Sequence, residues 1–160
     1  MLIGPPASFD LLAQGVAVEL RAFVREAGRR RALPFTAYVG VPGSATGDPP
    51  ASFDHLLTED PVFRADLVER VVDGLEQHVV DRRRACAWVT RPGELLPETR
   101  DLAWLAAART GFARHGLELP AFFVLGRYGW HELTTGQTRE WARVRSYRER
   151  RRPSSGPWVG

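Results

Sequence analysis

The sequence contains no lysine and no asparagine, and it has one isoleucine, Ile3, and one cysteine, Cys86. Without lysine, the chain cannot supply a P-loop lysine, a Schiff-base lysine or the catalytic lysine of a nuclease site. The 22 basic residues are therefore all arginines. Codons for lysine, asparagine and isoleucine are rich in A and T, so a genome of high GC content explains much of the arginine excess before any ligand is invoked.

Three further features that the sequence lacks bear on where the protein is located and whether it enters a membrane. A single cysteine excludes an intrachain disulfide. No apolar run approaches the length needed to span a membrane. The first residues, Met-Leu-Ile-Gly-Pro-Pro, lack the basic leader and apolar core of a signal peptide. The expectation is a cytoplasmic protein with no membrane partner.

The chain has 160 residues, of which 44% are hydrophobic and 26% charged, and this is ordinary for one globular domain with a proper core. We expect a single α/β domain over residues 1–147. Residues 148–160 are rich in arginine, proline, serine and glycine, which is typical of a flexible basic tail.

The clearest structural unit begins at Ala85. An apolar run to Arg91 is followed by Pro92 and Gly93, the pattern of a buried strand and a turn. Helical spacing of apolar residues then predicts a helix over 99–115, and the run from Pro120 predicts a second strand. Two strands joined by a helix of this length are expected to be parallel neighbours.

The remaining elements extend this unit into a mixed four-stranded sheet covered by about three helices. Apolar periodicity predicts helices near 8–28 and 60–83. Three parallel strands are expected near 35–41, 85–91 and 121–127, with an antiparallel hairpin strand near 138–145. The segment 40–50 is rich in glycine and proline and is predicted to be a surface loop, since it lacks the spacing of a phosphate-binding loop.

Polar and apolar residues alternate after Gly126, and residues 134–137 have the composition of a hairpin turn. Folding about that turn would pair Trp130 with Trp141 and Tyr128 with Arg143. One face of the hairpin would then carry a set of aromatic and charged side chains: Tyr128, Trp130, Glu132, Arg139, Trp141, Arg143 and Arg145. The aromatic pair either stabilises the hairpin as a cross-strand contact or forms a stacking platform for single-stranded nucleic acid.

Charge is distributed unevenly along the chain. Residues 1–81 hold 7 arginines and 12 acidic residues, whereas residues 82–160 hold 15 arginines and 7 acidic residues. The two halves therefore carry net charges of −5 and +8, in agreement with the total of +3. This asymmetry favours an anionic partner for the C-terminal half, either nucleic acid or an acidic protein surface, or self-association such as a homodimer.

Signals for catalysis and cofactors are weak. No two of the four histidines have the i, i+4 spacing of a helical metal site, and there is no nucleophile elbow. We therefore predict no metal, no cofactor and no catalytic residue. One alternative is an anion-binding crevice at the carboxyl ends of the strands. It would be lined by Ser44, Thr46, Arg91, Arg127 and His131.

Three functions remain open on the sequence. The first is a non-catalytic module that binds an anionic partner, with nucleic acid favoured, through the hairpin face and the tail. The second is a protein-interaction or self-assembly domain anchored by Trp130, Trp141 and Tyr128, residue types that are enriched at interfaces. The third is a small enzyme that uses the strand-end crevice.

Overall fold

Two fully buried strands form the centre of the fold. The computed structural model describes residues 7–28, 34–43, 49–55, 59–78 and 84–140. Strand β3 (Cys86–Thr90) and strand β4 (Phe122–Gly126) are buried at every position and pair in parallel. Helix α3 (Thr99–Ala113) connects them. The predicted strand–helix–strand unit is therefore confirmed.

The sheet has six strands within the described residues, in the order β2-β1-β3-β4-β5-β6. The other strands are β1 (Thr36–Gly40), β2 (Ala51–Asp54), β5 (Gly129–Glu132) and β6 (Thr138–Glu140). The fold is α/β with a mixed sheet, as expected. The prediction of four strands, three of them parallel, is wrong, because β1 is antiparallel to both of its neighbours.

The unexpected strand β2 explains the direction of β1. It begins at Ala51, directly after the segment 40–50 that was predicted to be a surface loop, in a stretch for which no strand was predicted. Because β2 is antiparallel to β1, and β1 is antiparallel to β3, β2 runs parallel to β3. The chain thus enters helix α2 (Pro61–His78) from β2 and not from β1. The expectation that strands joined by a helix run parallel is met by β2 and β3, with β1 inserted between them.

The C-terminal hairpin has a different register from the predicted one. Trp130 pairs with Arg139 and His131 pairs with Thr138, so the predicted pairing of Trp130 with Trp141 is wrong. In addition, β4 and β5 form a tight hairpin in which Gly126 pairs with Gly129. Tyr128 therefore lies in the β4–β5 turn and not in a strand.

Helices cover both faces of the sheet and create three layers. Helix α1 (Ala7–Ala27) packs on one face through the apolar stripe that its sequence predicts. Helices α2 and α3 pack on the other face and against each other. Gly111 permits the close contact of these two helices, since a Cβ atom there would overlap the side chain of Val68. No helix in the described ranges combines the length and apolar character that crossing a bilayer requires.

An aromatic cluster closes the end of the core under α2 and α3. Trp104 is 1% exposed and stacks on Phe53 with ring centroids 5.8 Å apart. Its indole N–H donates to Nδ1 of His55 at 3.0 Å, so that nitrogen must be unprotonated. Burial, and then the positive charges of Arg64 and Arg100, lower the pKa of His55 below its ordinary value.

Acidification is expected to destabilise the fold through His55. Because its pKa is lower in the folded chain than the ordinary 6.5, the unfolded chain binds this proton more readily. The His55 contribution is thus complete above pH 6.5 and decreases as the pH falls towards the folded pKa. Urea unfolding at about pH 7.5 and about pH 5.5 measures this loss, which His55→Gln should reduce because glutamine accepts the Trp104 bond without titrating. An equal loss in the variant would assign it to other groups.

Candidate functional site

The predicted stacking face of the hairpin is packed inside the protein. Trp130 is 4% exposed and makes an edge-to-face contact with Phe123, with ring centroids 5.0 Å apart. Both rings belong to the cluster beneath α1. Trp130 is therefore a core residue, and its burial contradicts both the stacking role and the interface-anchor role that its sequence position suggested.

Glu132 organises the turn that follows β5. Its carboxylate is buried and accepts hydrogen bonds from the backbone N–H groups of Phe122, Thr134 and Thr135 at 2.8–2.9 Å. The hydroxyl groups of Thr134 and Thr135 donate to it at 2.6 Å. Burial by itself raises the pKa of Glu132, but these hydrogen bonds lower it, and the net pKa lies below the ordinary value. The carboxylate therefore stabilises the hairpin turn from within the protein and remains charged at neutral pH.

The exposed part of the predicted site is the outer rim of the hairpin, which we call the hairpin edge and define as Arg127, Tyr128 and Arg139. Arg127 and Tyr128 form the β4–β5 turn, and Tyr128 is 40% exposed. Arg139 belongs to β6, which is exposed at all three positions. Trp141, Arg143 and Arg145 lie outside the described residues, so their predicted place on this face stays a prediction.

Close backbone contact fixes the hairpin edge to the sheet. Gly129 follows directly after the turn and pairs with Glu140. A Cβ atom at Gly129 would overlap the carbonyl oxygen of Arg139, so only glycine allows β6 to approach this closely. The position of Arg139 relative to Tyr128 is therefore set by the backbone.

The alternative crevice is occupied by the chain itself. Arg91 is 1% exposed, and its Nε and Nη2 bind the Asp101 carboxylate at 2.7–3.2 Å. Its remaining N–H groups donate to the carbonyl oxygens of Pro92, Glu94 and Leu96 at 2.7–3.2 Å. All five guanidinium donors thus have acceptors within the β3–α3 connection. Arg91 holds this connection in place and offers no free donor to an external anion.

The two other crevice residues that the structure describes, Arg127 and His131, do not form a common pocket with Arg91. Arg127 points to solvent in its turn, whereas Nδ1 of His131 contacts the carbonyl oxygen of Leu95 at 3.2 Å. The Leu95 side chain lies so close to Gly126 that a Cβ there would overlap it. The β3–α3 connection thus covers the carboxyl end of β4. Ser44 and Thr46 lie outside the described residues, so the structure does not test their part in the crevice.

Cys86 has the properties of a core residue. It is fully buried on β3, and desolvation, with smaller effects from the carboxylates of Glu132 and Glu19, raises its pKa well above the ordinary thiol value. The thiol is therefore protonated and unreactive at neutral pH. Among the residues that the structure describes, no group of three or more His, Cys, Asp or Glu side chains could hold a metal ion.

Several arginines of the C-terminal half contact other side chains of the fold. Arg91 is buried, Arg100 lies 4.7 Å from the ring centroid of Phe35, and Arg114 pairs with acidic residues of α2. The hairpin edge instead presents its arginines outward. The fold itself therefore uses part of the arginine excess.

Comparison of the chain with protein-family models, with curated proteins and with solved structures gives no match. The hairpin edge exposes two guanidinium groups and one phenol ring. In general, a guanidinium group binds phosphate or carboxylate in a bidentate manner, and an aromatic ring stacks on a planar group.

Proposed function

We propose that this protein is a non-catalytic binding module for an anionic partner, nucleic acid above all, which it engages through the hairpin edge and the arginine-rich segment that follows. The observation that carries the proposal is the exposure of β6 at all three of its positions at the end of the sheet. The chain passes from this strand directly into residues 141–152, which contain six arginines and one acidic residue. The hairpin edge and this segment are thus contiguous along the chain.

The exposed chemistry suits a phosphate backbone better than a neutral partner. Arginine binds phosphate through two parallel N–H groups, and it stays charged at any physiological pH. Tyr128 lies beside Arg127 in the turn and is 40% exposed, and an exposed aromatic ring is a stacking surface for a base. In this proposal Tyr128 takes the stacking role, and buried Trp130 supports the hairpin from below.

Removing the two arginines of the hairpin edge is expected to weaken binding to a short single-stranded oligonucleotide and to reduce its salt dependence. Each phosphate contact contributes about 0.7 to the slope of log K against log salt concentration for single strands. The double variant Arg127→Gln/Arg139→Gln should therefore have a slope shallower by about 1.4. Fluorescence anisotropy of a labelled oligonucleotide, titrated between about 50 and about 200 mM salt, measures both quantities.

The matched control is Arg70→Gln/Arg109→Gln, which removes the same charge from exposed positions on α2 and α3. We expect this control to keep the wild-type slope. An equal loss in both double variants would show that only net charge matters, which is evidence against a site at the hairpin edge. Absence of binding by the wild-type protein at low salt would overturn the proposal.

A further inference from the structure

Two side chains at the end of β2, an edge strand among the described residues, contact the same residue of α3. Phe53, within β2, stacks on the Trp104 ring with the centroids 5.8 Å apart. His55, which directly follows the strand, accepts a hydrogen bond at Nδ1 from the Trp104 indole N–H at 3.0 Å. The strand is short, with two of its four side chains exposed and two half-buried. The end of β2 is thus fixed to the helical layer through Trp104.

Arginines from both helices of that layer lie against the same aromatic cluster. The Arg64 guanidinium is 5.9 Å from the centroid of the Trp104 ring, and the Arg100 guanidinium is 4.7 Å from the centroid of the Phe35 ring. The His55 ring lies beside Phe35, with the centroids 5.2 Å apart. The imidazole therefore lies in a cluster whose rings already carry two cationic groups.

The charges around His55 favour its neutral form. Burial, and then the positive charges of Arg64 and Arg100, lower the pKa of His55. The carboxylates of Glu59 and Asp54 raise this pKa, but by less. Arg64 belongs to α2, Arg100 to α3 and Asp54 to β2, whereas Glu59 lies just before α2. Together these groups keep the imidazole neutral at neutral pH.

A second proton on His55 is incompatible with the hydrogen bond that it accepts. The proton would be on Nδ1, so two N–H donors would face each other and the buried Trp104 indole would lose its acceptor. The imidazolium would also lie near two guanidinium groups. Both costs disappear when His55 leaves the cluster. Because it directly follows β2, the short edge strand moves with it, and such elements open at the lowest free-energy cost.

We infer that the hydrogen bond between His55 and Trp104 is a pH-sensitive latch on the β2 edge. Protonation of His55 releases β2 from β1, while β3 and β4 remain paired, and it uncovers the edge of β1 and the Trp104 ring. The latch is closed above pH 6.5, the ordinary pKa, and the open fraction grows as the pH falls towards the lower pKa of the folded chain. The latch shares no residue with the hairpin edge, so it is independent of nucleic-acid binding.

Amide hydrogen exchange followed by NMR at about pH 7.5 and about pH 5.5 tests the latch, with each rate expressed as protection relative to the intrinsic rate at that pH. At both values the β2 amides that bond to β1 should be less protected than those of β3 and β4, because β2 opens locally. Lowering the pH should reduce β2 protection by up to about tenfold, the factor by which a released histidine of pKa 6.5 favours the open form at about pH 5.5. Protection in β6, which frays at the opposite edge without releasing His55, should stay the same.

His55→Gln is the matched variant, because glutamine accepts from the Trp104 N–H without titrating. Its β2 protection should be equal at the two pH values. In the wild type, equal protection of β2, β3 and β4 would show that β2 opens only with the whole domain, which would overturn the latch. It would also be refuted by β2 protection that does not change with pH, or that falls as much in folded His55→Gln. The comparison of β2 with β6 within the wild-type protein does not depend on whether the variant folds.

Discussion

Replacing Arg91 with alanine is expected to lower the free energy of unfolding by about 3–5 kcal/mol, the range for removing one partner of a buried ion pair. The Asp101 carboxylate, which has no exposed surface, would keep its charge without its main counter-ion. Three carbonyl oxygens of the β3–α3 connection would also lose their donors. Urea-induced unfolding, followed by circular dichroism, measures the change.

Lysine at position 91 distinguishes charge from geometry. It restores the positive charge but provides three donors on a single nitrogen, whereas the guanidinium group reaches Asp101 and three carbonyl oxygens at once. We therefore expect Arg91→Lys to recover only part of the lost stability. Arg109→Lys, at an exposed position on α3, should change stability by no more than about 0.5 kcal/mol. Full stability in Arg91→Lys would show that the carbonyl contacts contribute little.

Glutamine in place of Glu132 is expected to destabilise the protein by about 1.5–3 kcal/mol, the range for hydrogen bonds to a charged group. The amide has one acceptor oxygen, and its NH₂ group would face N–H and O–H donors that now bind the carboxylate. The effect should depend on pH. Because the pKa of Glu132 is lowered in the folded chain, its contribution is present above the ordinary value of 4.5 and is lost as the pH falls through the folded pKa.

Unfolding free energies measured between about pH 3 and about pH 7 test this second effect. The wild-type protein should lose more stability at the acidic end than Glu132→Gln does. The exposed Glu118→Gln provides the control, because it removes one carboxylate without disturbing the turn. Parallel stability curves for the wild type and Glu132→Gln would mean that the hydrogen-bonded carboxylate does not contribute to acid denaturation.

The parts of the fold that the sequence predicted are those in which local pattern and tertiary packing agree. Strands β3 and β4 are continuous apolar runs, the sequence pattern that is typical of strands buried on both faces. Helix α3 ends before Gly116, whose φ of 70° lies in the left-handed region that glycine adopts most easily. Apolar character alone does not decide burial on this helix, since Trp104 is buried whereas Leu102 is 51% exposed.

The parts that were not predicted depend on contacts distant in sequence or on single polar groups. Strand β2 has four residues, two exposed and two half-buried, so its sequence alone gives little signal, and omitting it reversed the direction of β1. The observed hairpin register differs from the predicted one, because the Glu132 carboxylate binds the backbone N–H groups of the turn residues Thr134 and Thr135. A charged side chain on an alternating strand predicts a solvent-facing position, and nothing local showed that Thr134 and Thr135 would satisfy it.

The sequence placed the candidate site in the basic half of the chain. Arg127, Tyr128 and Arg139 are exposed there, and their role in binding stays a prediction. Arg91, by contrast, was assigned to ligand binding because it ends a parallel strand, where ligands often bind. The structural role of Arg91 depends on its ion pair with Asp101, ten residues further along the chain. The Asp101 carboxylate also accepts a hydrogen bond from the backbone N–H of Glu98 at the start of α3.

Burial of β3 and β4 at every position has a consequence for how the molecule opens. Amide hydrogens in these strands can exchange with solvent water only when the whole domain unfolds, whereas those of fully exposed β6 can exchange through fraying of the sheet at much lower cost. Arg139, the β6 member of the hairpin edge, therefore lies in a region of low local stability. If a partner binds there as proposed, amide exchange should slow in β6 first and stay unchanged in the central strands.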